Sequence, residues 1–258
     1  MVERFKIGLM GSLGVAVECL EWLNSRPEFE VTGVVCSREP RKPWRVATQD
    51  RDMQEAAREL CVPMVSLDEL CELRPDIGLS VRFHQILRRR HLDSFRLGVI
   101  NLHGSILPEM RGSMCDAMAI VENRPEFGAS LHWMDEGIDS GALLAEARFP
   151  IGPNDTVFDL FTRSNLEGLR LIKESLADIA AGRIEAEDQA DACARRGVTA
   201  RSYRASDVMS RKDLRGTHDP EYLWNIARAF QFPGYPPATI VTRNGRINLT
   251  IDTTDGPA

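Results

Sequence analysis

Lysine is scarce in this chain of 258 residues: Lys6, Lys42, Lys173 and Lys212 are its only examples, and the rest of the basic side is arginine. Schiff-base chemistry therefore has few candidates. The six cysteines, Cys19, Cys36, Cys61, Cys71, Cys115 and Cys193, form no C-x-x-C pair. Several sit inside apolar runs, so they read as reduced, packed thiols of a reducing compartment, and no metal is expected. No apolar run approaches the ~20 residues of a membrane span, and MVERFKIGLMGSLG lacks the basic start and long apolar stretch of a signal peptide. A cytoplasmic protein without a membrane partner is expected. Positive charge is also short: Lys+Arg of 32 against Asp+Glu of 38 gives a net charge of −6, the wrong sign for affinity founded on phosphate neutralisation. No nucleic-acid partner is expected. Finally, Gly8, Gly11 and Gly14 do not make G-x-G-x-x-G, and the next strand runs into Cys36-Ser37-Arg38 without the acidic residue of a dinucleotide site.

What is present is ordinary for a soluble globular protein, with 43% hydrophobic and 27% charged residues. Phe5 to Met10 is a short apolar run that stops at Gly11-Ser12-Leu13-Gly14, after which Val15, Val17, Leu20 and Leu23 recur near helical spacing. That pattern predicts strand, turn and helix. It repeats with strands at Val31–Cys36, near Met64, at Asp76–Val81 and at Leu97–Leu102. Helices are expected near Met53–Leu60, Leu67–Leu73 and Gln85–Phe95. Strands that read as continuous apolar runs and alternate with helices predict a Rossmann-like, doubly wound α/β fold with a mostly parallel sheet. Ala129–Met134 and Leu143–Phe149 read as two further strands, and Val157–Ala180 as a long amphipathic helix. Composition turns polar after that helix. The expected organisation is a catalytic domain over residues 1–182 and a small C-terminal appendage over 183–258, with one helix and a hairpin turning at Asn244-Gly245.

In an open α/β sheet, ligands bind beyond the carboxyl ends of the strands. Val99-Ile-Asn-Leu-His-Gly-Ser is such an end, and strand periodicity puts Asn101 and His103 on one face. An amide donor and an imidazole then share a crevice. Asp135-Glu-Gly-Ile-Asp-Ser-Gly141 is an acidic, glycine-rich loop between two expected strands; Asp139 brought beside His103 would favour the imidazolium and orient the ring. Each piece alone also reads as local hydrogen bonding or an ordinary turn. A calcium loop fails, because the sixth position from Asp135 is Ser140 rather than glycine.

Taken together, N-L-H-G-S-I-L-P-x-x-R-G and M-D-E-G-I-D-S-G-A-L-L resemble the folate-dependent formyltransferase family, over about residues 5 to 180. That family includes methionyl-tRNA, glycinamide ribonucleotide and sugar N-formyltransferases. The resemblance implies N10-formyltetrahydrofolate as formyl donor and Asn101, His103 and Asp139 as the catalytic set. It also implies a folate site along Arg82, Phe83, Gln85, Ile86 and Leu87, with Asp135 and Gly137 beside it. Ser105, Arg111 and Gly112 are then expected toward the acceptor; the planar fork of Arg111 suits a phosphate or carboxylate, or a surface salt bridge. The short tail lacks the length and basic stripe of a transfer-RNA-binding barrel. Its Arg228-Ala-Phe-Gln-Phe-Pro-Gly-Tyr-Pro-Pro237 stretch is similar to the tails of sugar N-formyltransferases. The expected acceptor is thus the amine of a nucleotide-linked deoxysugar, as used in O-antigen assembly. An ornithine-like amino acid, glycinamide ribonucleotide and a non-catalytic folate or nucleotide binder are the alternatives. The tail hairpin offers a route to a homodimer.

Other residues receive plainer expectations. His132, alternating with Leu131 and Trp133, is read as packed or solvated; His84 and His91 as a solvated helix face. Trp224, Phe230, Phe232 and Tyr235 are read as the core of the appendage, or one ring as a stacking platform.

Overall fold

The computed structural model describes residues 4–36 and 42–251. Met1 to Glu3, the Ser37-Arg38 step after the second strand and the last residues of the appendage lie outside them. In chain order the elements of the first part are β1 (Phe5–Gly11), α1 (Gly14–Asn24), β2 (Phe29–Val35), α2 (Pro43–Ala47), α3 (Met53–Glu59), α4 (Leu67–Glu72), β3 (Ile77–Val81), α5 (Arg89–Leu92) and β4 (Gly98–His103). Then follow β5 (Arg111–Gly112), α6 (Cys115–Val121), β6 (Glu126–Trp133), β7 (Leu143–Pro150) and α7 (Val157–Ala180). The tail holds α8 (Gln189–Arg196), β8 (Ser202–Tyr203), α9 (Ala205–Met209), β9 (Asp213–Leu214), α10 (Pro220–Ala229), β10 (Ala238–Thr242) and β11 (Gly245–Leu249).

The main sheet has the order β2-β1-β3-β4-β6-β7. Its first four strands are parallel, and β6 and β7 turn antiparallel. The apolar runs make this necessary: β3 is buried at every residue, and β1 at its last five, so helices must cover both faces. α1 and α7 supply much of the cover, joining Ile7, Leu9, Leu20, Leu79, Ile100 and Ile172 in one core. Gly168 lets α7 come close, since a Cβ there would fall 2.3 Å from Leu102 Cδ1. α7 begins at a capping box, where Thr156 Oγ1 accepts from the Asp159 N–H and Asp159 returns the bond.

Two expectations are corrected. A helix over Gln85–Phe95 does not form; only Arg89–Leu92 is helical, because Arg82 leaves β3 at φ +53° and Phe83 to Leu87 run on as a loop. Leu87 is buried while Ile86 is 86% exposed, so no apolar stripe of helical period exists there. Near Met64 there is only an isolated bridge to Val34.

The tail does not stand apart from the sheet. Val208, Leu214, Ile226 and Phe230 share a buried cluster with Met118, Ile120 and Phe127 of α6 and β6. Phe232 packs against Trp44, Phe158 and Phe161, with centroids 5.2–5.7 Å apart, as well as against Tyr235 and the buried cluster of the tail. Trp224 and Tyr235 stay partly exposed. His91 is buried, not solvated, because its Nδ1 accepts the Arg88 N–H at the start of α5. Cys19, Cys61, Cys71, Cys115 and Cys193 are free thiols; burial first of all pushes those of Cys19 and Cys115 up to about 12. No described helix is long and apolar enough to cross a membrane. Among the described residues no cluster of His, Cys, Asp or Glu could hold a metal ion.

Candidate active site

The strand order reverses at β1, whose neighbours are β2 and β3, and a crevice opens beyond the strand ends there. Its volume is about 640 Å³, the size of a small-molecule site. Asn101, His103 and Asp139 all line it, as do Arg82, Phe83, Gln85, Ile86, Leu87, Gly112, Asp135 and Gly137. Ser105 and Arg111 do not.

Register builds the floor. Ser80 of β3 pairs with Asn101 of β4, and Asn101 pairs with His132 of β6, so three polar side chains stand in a row across the sheet. Ser80 Oγ donates to Asn101 Oδ1 at 2.8 Å. With its oxygen taken, the amide turns Nδ2 toward His132 Nε2 (3.1 Å) and Asp139 Oδ1 (3.5 Å), on the cleft side. The His132 ring sets Nδ1 2.8 Å from the Trp133 carbonyl oxygen, and its Nε2 faces both the Asn101 amide and Asp139. His132, expected to be merely packed, is thus part of the site at 2% exposure. Neither Ser80 nor His132 is marked by a motif; only the register of neighbouring strands brings them in.

His103 is held from behind. Its Nε2 lies 2.8 Å from the Met110 carbonyl oxygen and 2.6 Å from Ser105 Oγ, and Ser105 Oγ itself donates to that carbonyl at 2.6 Å. A carbonyl can only accept, so the network puts a proton on Nε2 and leaves Nδ1 toward Asp139 Oδ2, 3.5 Å away. Burial depresses the His103 pKa below the ordinary histidine value; the Asp139 charge opposes this, and the nearby His132 and Arg82 add to it. Ser105, expected to meet the acceptor, is fully buried and spends its hydroxyl on the ring.

Asp139 sits in the left-handed region at φ +51°. Its Oδ2 accepts the Gly112 N–H at 2.9 Å. Burial would raise its pKa, but His132 acting across 3.7 Å, the His103 ring and the Gly112 N–H outweigh that and hold the carboxyl down to about 2. Asp135 shapes the loop, accepting from the Gly137 N–H (3.0 Å) and Ser140 Oγ (2.7 Å).

Of the two arginines, Arg111 differs from expectation. Arg111 turns away from the crevice and donates both Nε and Nη2 to Gln189 Oε1, at 2.9 and 2.6 Å. Arg82 sends Nε to Asn165 Oδ1 (2.7 Å) and Nη2 to Ser164 Oγ (3.2 Å) on α7, and caps the Phe161 ring at 4.9 Å. Gly104 lies directly beneath it: a Cβ there would fall 2.3 Å from the guanidinium carbon and push the side chain aside. Among the described residues no carboxylate lies within ion-pair distance of Arg82; burial lowers its pKa, and Asp116 counters that only through space.

Together these groups offer an oriented amide donor, an imidazole with one nitrogen facing the crevice, and an ionised carboxylate beside it. That set can receive a proton and stabilise developing negative charge.

Known proteins point the same way. The chain is 35% identical over 151 residues to the methionyl-tRNA formyltransferase of Coxiella burnetii, covering 55% of this chain and 48% of that protein. With the Listeria monocytogenes enzyme of that name it shares 31% identity over 196 residues, 71% of this chain and 61% of that protein. The chain thus spans only about half to three-fifths of the length of these relatives. Among solved structures, an N-formyltransferase from Helicobacter canadensis with folinic acid and dTDP-3-aminofucose superposes with TM-score 0.77 at 23% identity, over 95% of this chain and 86% of that one. A 4-N formyltransferase from Francisella tularensis gives 0.77 at 16%, over 96% and 98%. Glycinamide ribonucleotide transformylase 1 from Symbiobacterium toebii gives 0.61 at 21%, over 73% and 96%. The formyl transferase family pattern matches residues 30–176, more than half the chain, and the chain belongs to that family.

Proposed function

We propose that this protein transfers a formyl group from N10-formyltetrahydrofolate to the primary amine of a nucleotide-linked amino-deoxysugar. One observation carries the reaction type: Asn101 Nδ2, the open Nδ1 of His103 and Asp139 converge on one crevice in a chain of this family. The crevice suits a flat, partly apolar donor. Its volume is about 640 Å³, and Ile86 and Ile138 stand 86% and 73% exposed among its lining residues. The main chain of Phe83 to Leu87 would hold the ring, and the bound folate supplies the formyl group at its N10.

The residues then act in sequence. The amine must be neutral to attack, and the depressed pKa of His103 keeps its ring neutral down into the usual histidine range, so Nδ1 can take the amine proton. Asp139, ionised far below neutrality, stabilises the imidazolium that results. Asn101 Nδ2 donates to the formyl oxygen as negative charge grows there. His103 returns the proton to the departing nitrogen.

The acceptor class rests on the fold comparison and on Arg82. Sugar N-formyltransferases superpose over 95–98% of this chain, tail included, against 73% for the Symbiobacterium enzyme. Arg82 is a cation at the crevice wall with, among the described residues, no carboxylate within ion-pair distance, and an acceptor bearing phosphate would meet it there. Such substrates are cytoplasmic, and we place the enzyme there. Mass spectrometry of folate-dependent formylation across a panel of dTDP-, GDP- and UDP-linked amino sugars tests the reading. One of them should gain a formyl group. Transfer only to ornithine or glycinamide ribonucleotide would overturn the acceptor, and folate binding without transfer to any amine would overturn catalysis.

A further inference from the structure

Asp139 is held in a backbone conformation that a residue with a side chain rarely adopts, φ +51°. What fixes it comes from beyond the family match, which ends at residue 176. Gln189, the first residue of α8, is 2% exposed and reaches back into the Asp139 loop. Its Nε2 donates to the carbonyl oxygens of Asp139 (2.9 Å) and Gly141 (2.7 Å). Its Oε1 accepts both Nε and Nη2 of Arg111. An amide can be turned either way round, and here the choice is forced: the Arg111 fork can only donate, so the oxygen must face it and the NH2 must face the loop.

Arg111 is tied down in turn. Its N–H donates to the Arg201 carbonyl (2.8 Å) in the parallel pairing of β5 with β8, so the tail holds the strand along that edge. The next residue, Gly112, at φ +92° and packed where a Cβ would meet the Tyr203 carbonyl oxygen at 2.2 Å, is the one whose N–H binds Asp139 Oδ2. Gln189 thus clamps the backbone of Asp139, while the partner it orients itself on leads directly into the N–H that clamps the carboxylate.

We infer that Gln189, oriented by Arg111, is a positioning residue for Asp139, so that the segment after α7 is a working part of the active site. This rests on the proposed formyl transfer only for its effect on turnover. It also gives Arg111 a role other than anion binding: its donors are already committed to Gln189.

Gln189→Met keeps volume and burial while removing both the donors and the acceptor. Gln189→Glu keeps the bond to Arg111 but sets an oxygen against the loop carbonyls. Both variants should lower kcat about 10- to 100-fold, with KM for folate little changed, as expected when a supporting group lets reacting groups drift by an ångström or less. Arg111→Ala should cost nearly as much, and Arg111→Ala with Gln189→Met no more than either alone. A merely structural role would show as a lower Tm with kcat per folded molecule preserved, and that result overturns the inference.

A second measurement does not need turnover. In the wild type, Asp139→Asn should shift the His103 titration followed by NMR; in the Gln189→Met background the same substitution should shift it less, because the carboxylate no longer keeps its place. An equal shift in both backgrounds overturns the positioning role. A wild type inactive on every amine would overturn the proposed function instead, and leave the titration to decide this inference.

Discussion

At the scale of single residues, the site works by holding one end of each polar side chain in place so that the other end faces the crevice or Asp139. Ser80 commits the Asn101 oxygen, so the NH2 is what the crevice meets. Ser105 and Met110 commit His103 Nε2, so Nδ1 faces Asp139. The pH behaviour follows. Burial lowers the folded-state pKa of His103 below its unfolded value near 6.5, while the Asp139 charge partly restores it. A 15N-edited NMR titration should therefore place the His103 midpoint below 6.5, and Asp139→Asn should move it lower still. A midpoint above 6.5 would mean that the ion pair outweighs burial. The sign carries into stability. Between the folded pKa and 6.5 the unfolded chain binds more protons, so this contribution is complete above pH 6.5 and is lost as pH falls toward the folded pKa. Asp139 adds a separate contribution, present above about pH 3.9 and lost as pH falls toward about 2.

At the scale of elements, the tail and the sheet are one packing unit. Phe230 at the end of α10 is 5% exposed within the cluster that α6 and β6 complete. Phe230→Ala should cost about 3–5 kcal/mol in urea unfolding, in a single transition shared with the core. A separate, earlier transition confined to the tail would contradict the shared core. This scale also explains what the sequence reveals. Asn101 and His103 are legible because a spacing of two in a strand fixes a common face, and Asp139 because a motif surrounds it. The sheet is legible from its unbroken apolar runs, and α7 from its long amphipathic period. Ser80 and His132 are hidden, because register across neighbouring strands, not spacing along the chain, sets them beside Asn101. Gln189 is hidden for a stronger reason: its partners lie 48, 50 and 78 residues away, in a stretch whose polar composition reads as surface. The loop at Phe83–Leu87 escapes because Ile86 and Leu87 are equally apolar in the sequence, and only the fold shows that one is buried and the other exposed.

At the scale of the whole molecule, a net charge of −6 carries into the crevice, where Asp116, Asp135, Glu136 and Asp139 line the wall, so an acceptor's phosphate would depend on Arg82, which among the described residues has no carboxylate within ion-pair distance. A nucleoside diphosphate matching the acceptor should raise the Tm, and Arg82→Gln should reduce that rise while leaving the ligand-free Tm within a few degrees. An equal rise in the variant would remove Arg82 from acceptor binding. The tail, the crevice and the family match join in a single claim, formyl transfer governed by Asn101, His103 and Asp139. The measurement that tests it most directly is single-turnover transfer of an isotope-labelled formyl group from N10-formyltetrahydrofolate to the best amino-sugar acceptor, in the wild type and in Asn101→Ala. The wild type should form the labelled amide, and the variant, folded with an unchanged circular dichroism spectrum, should be slower by about 10²–10³. Equal rates in the two proteins would contradict the account.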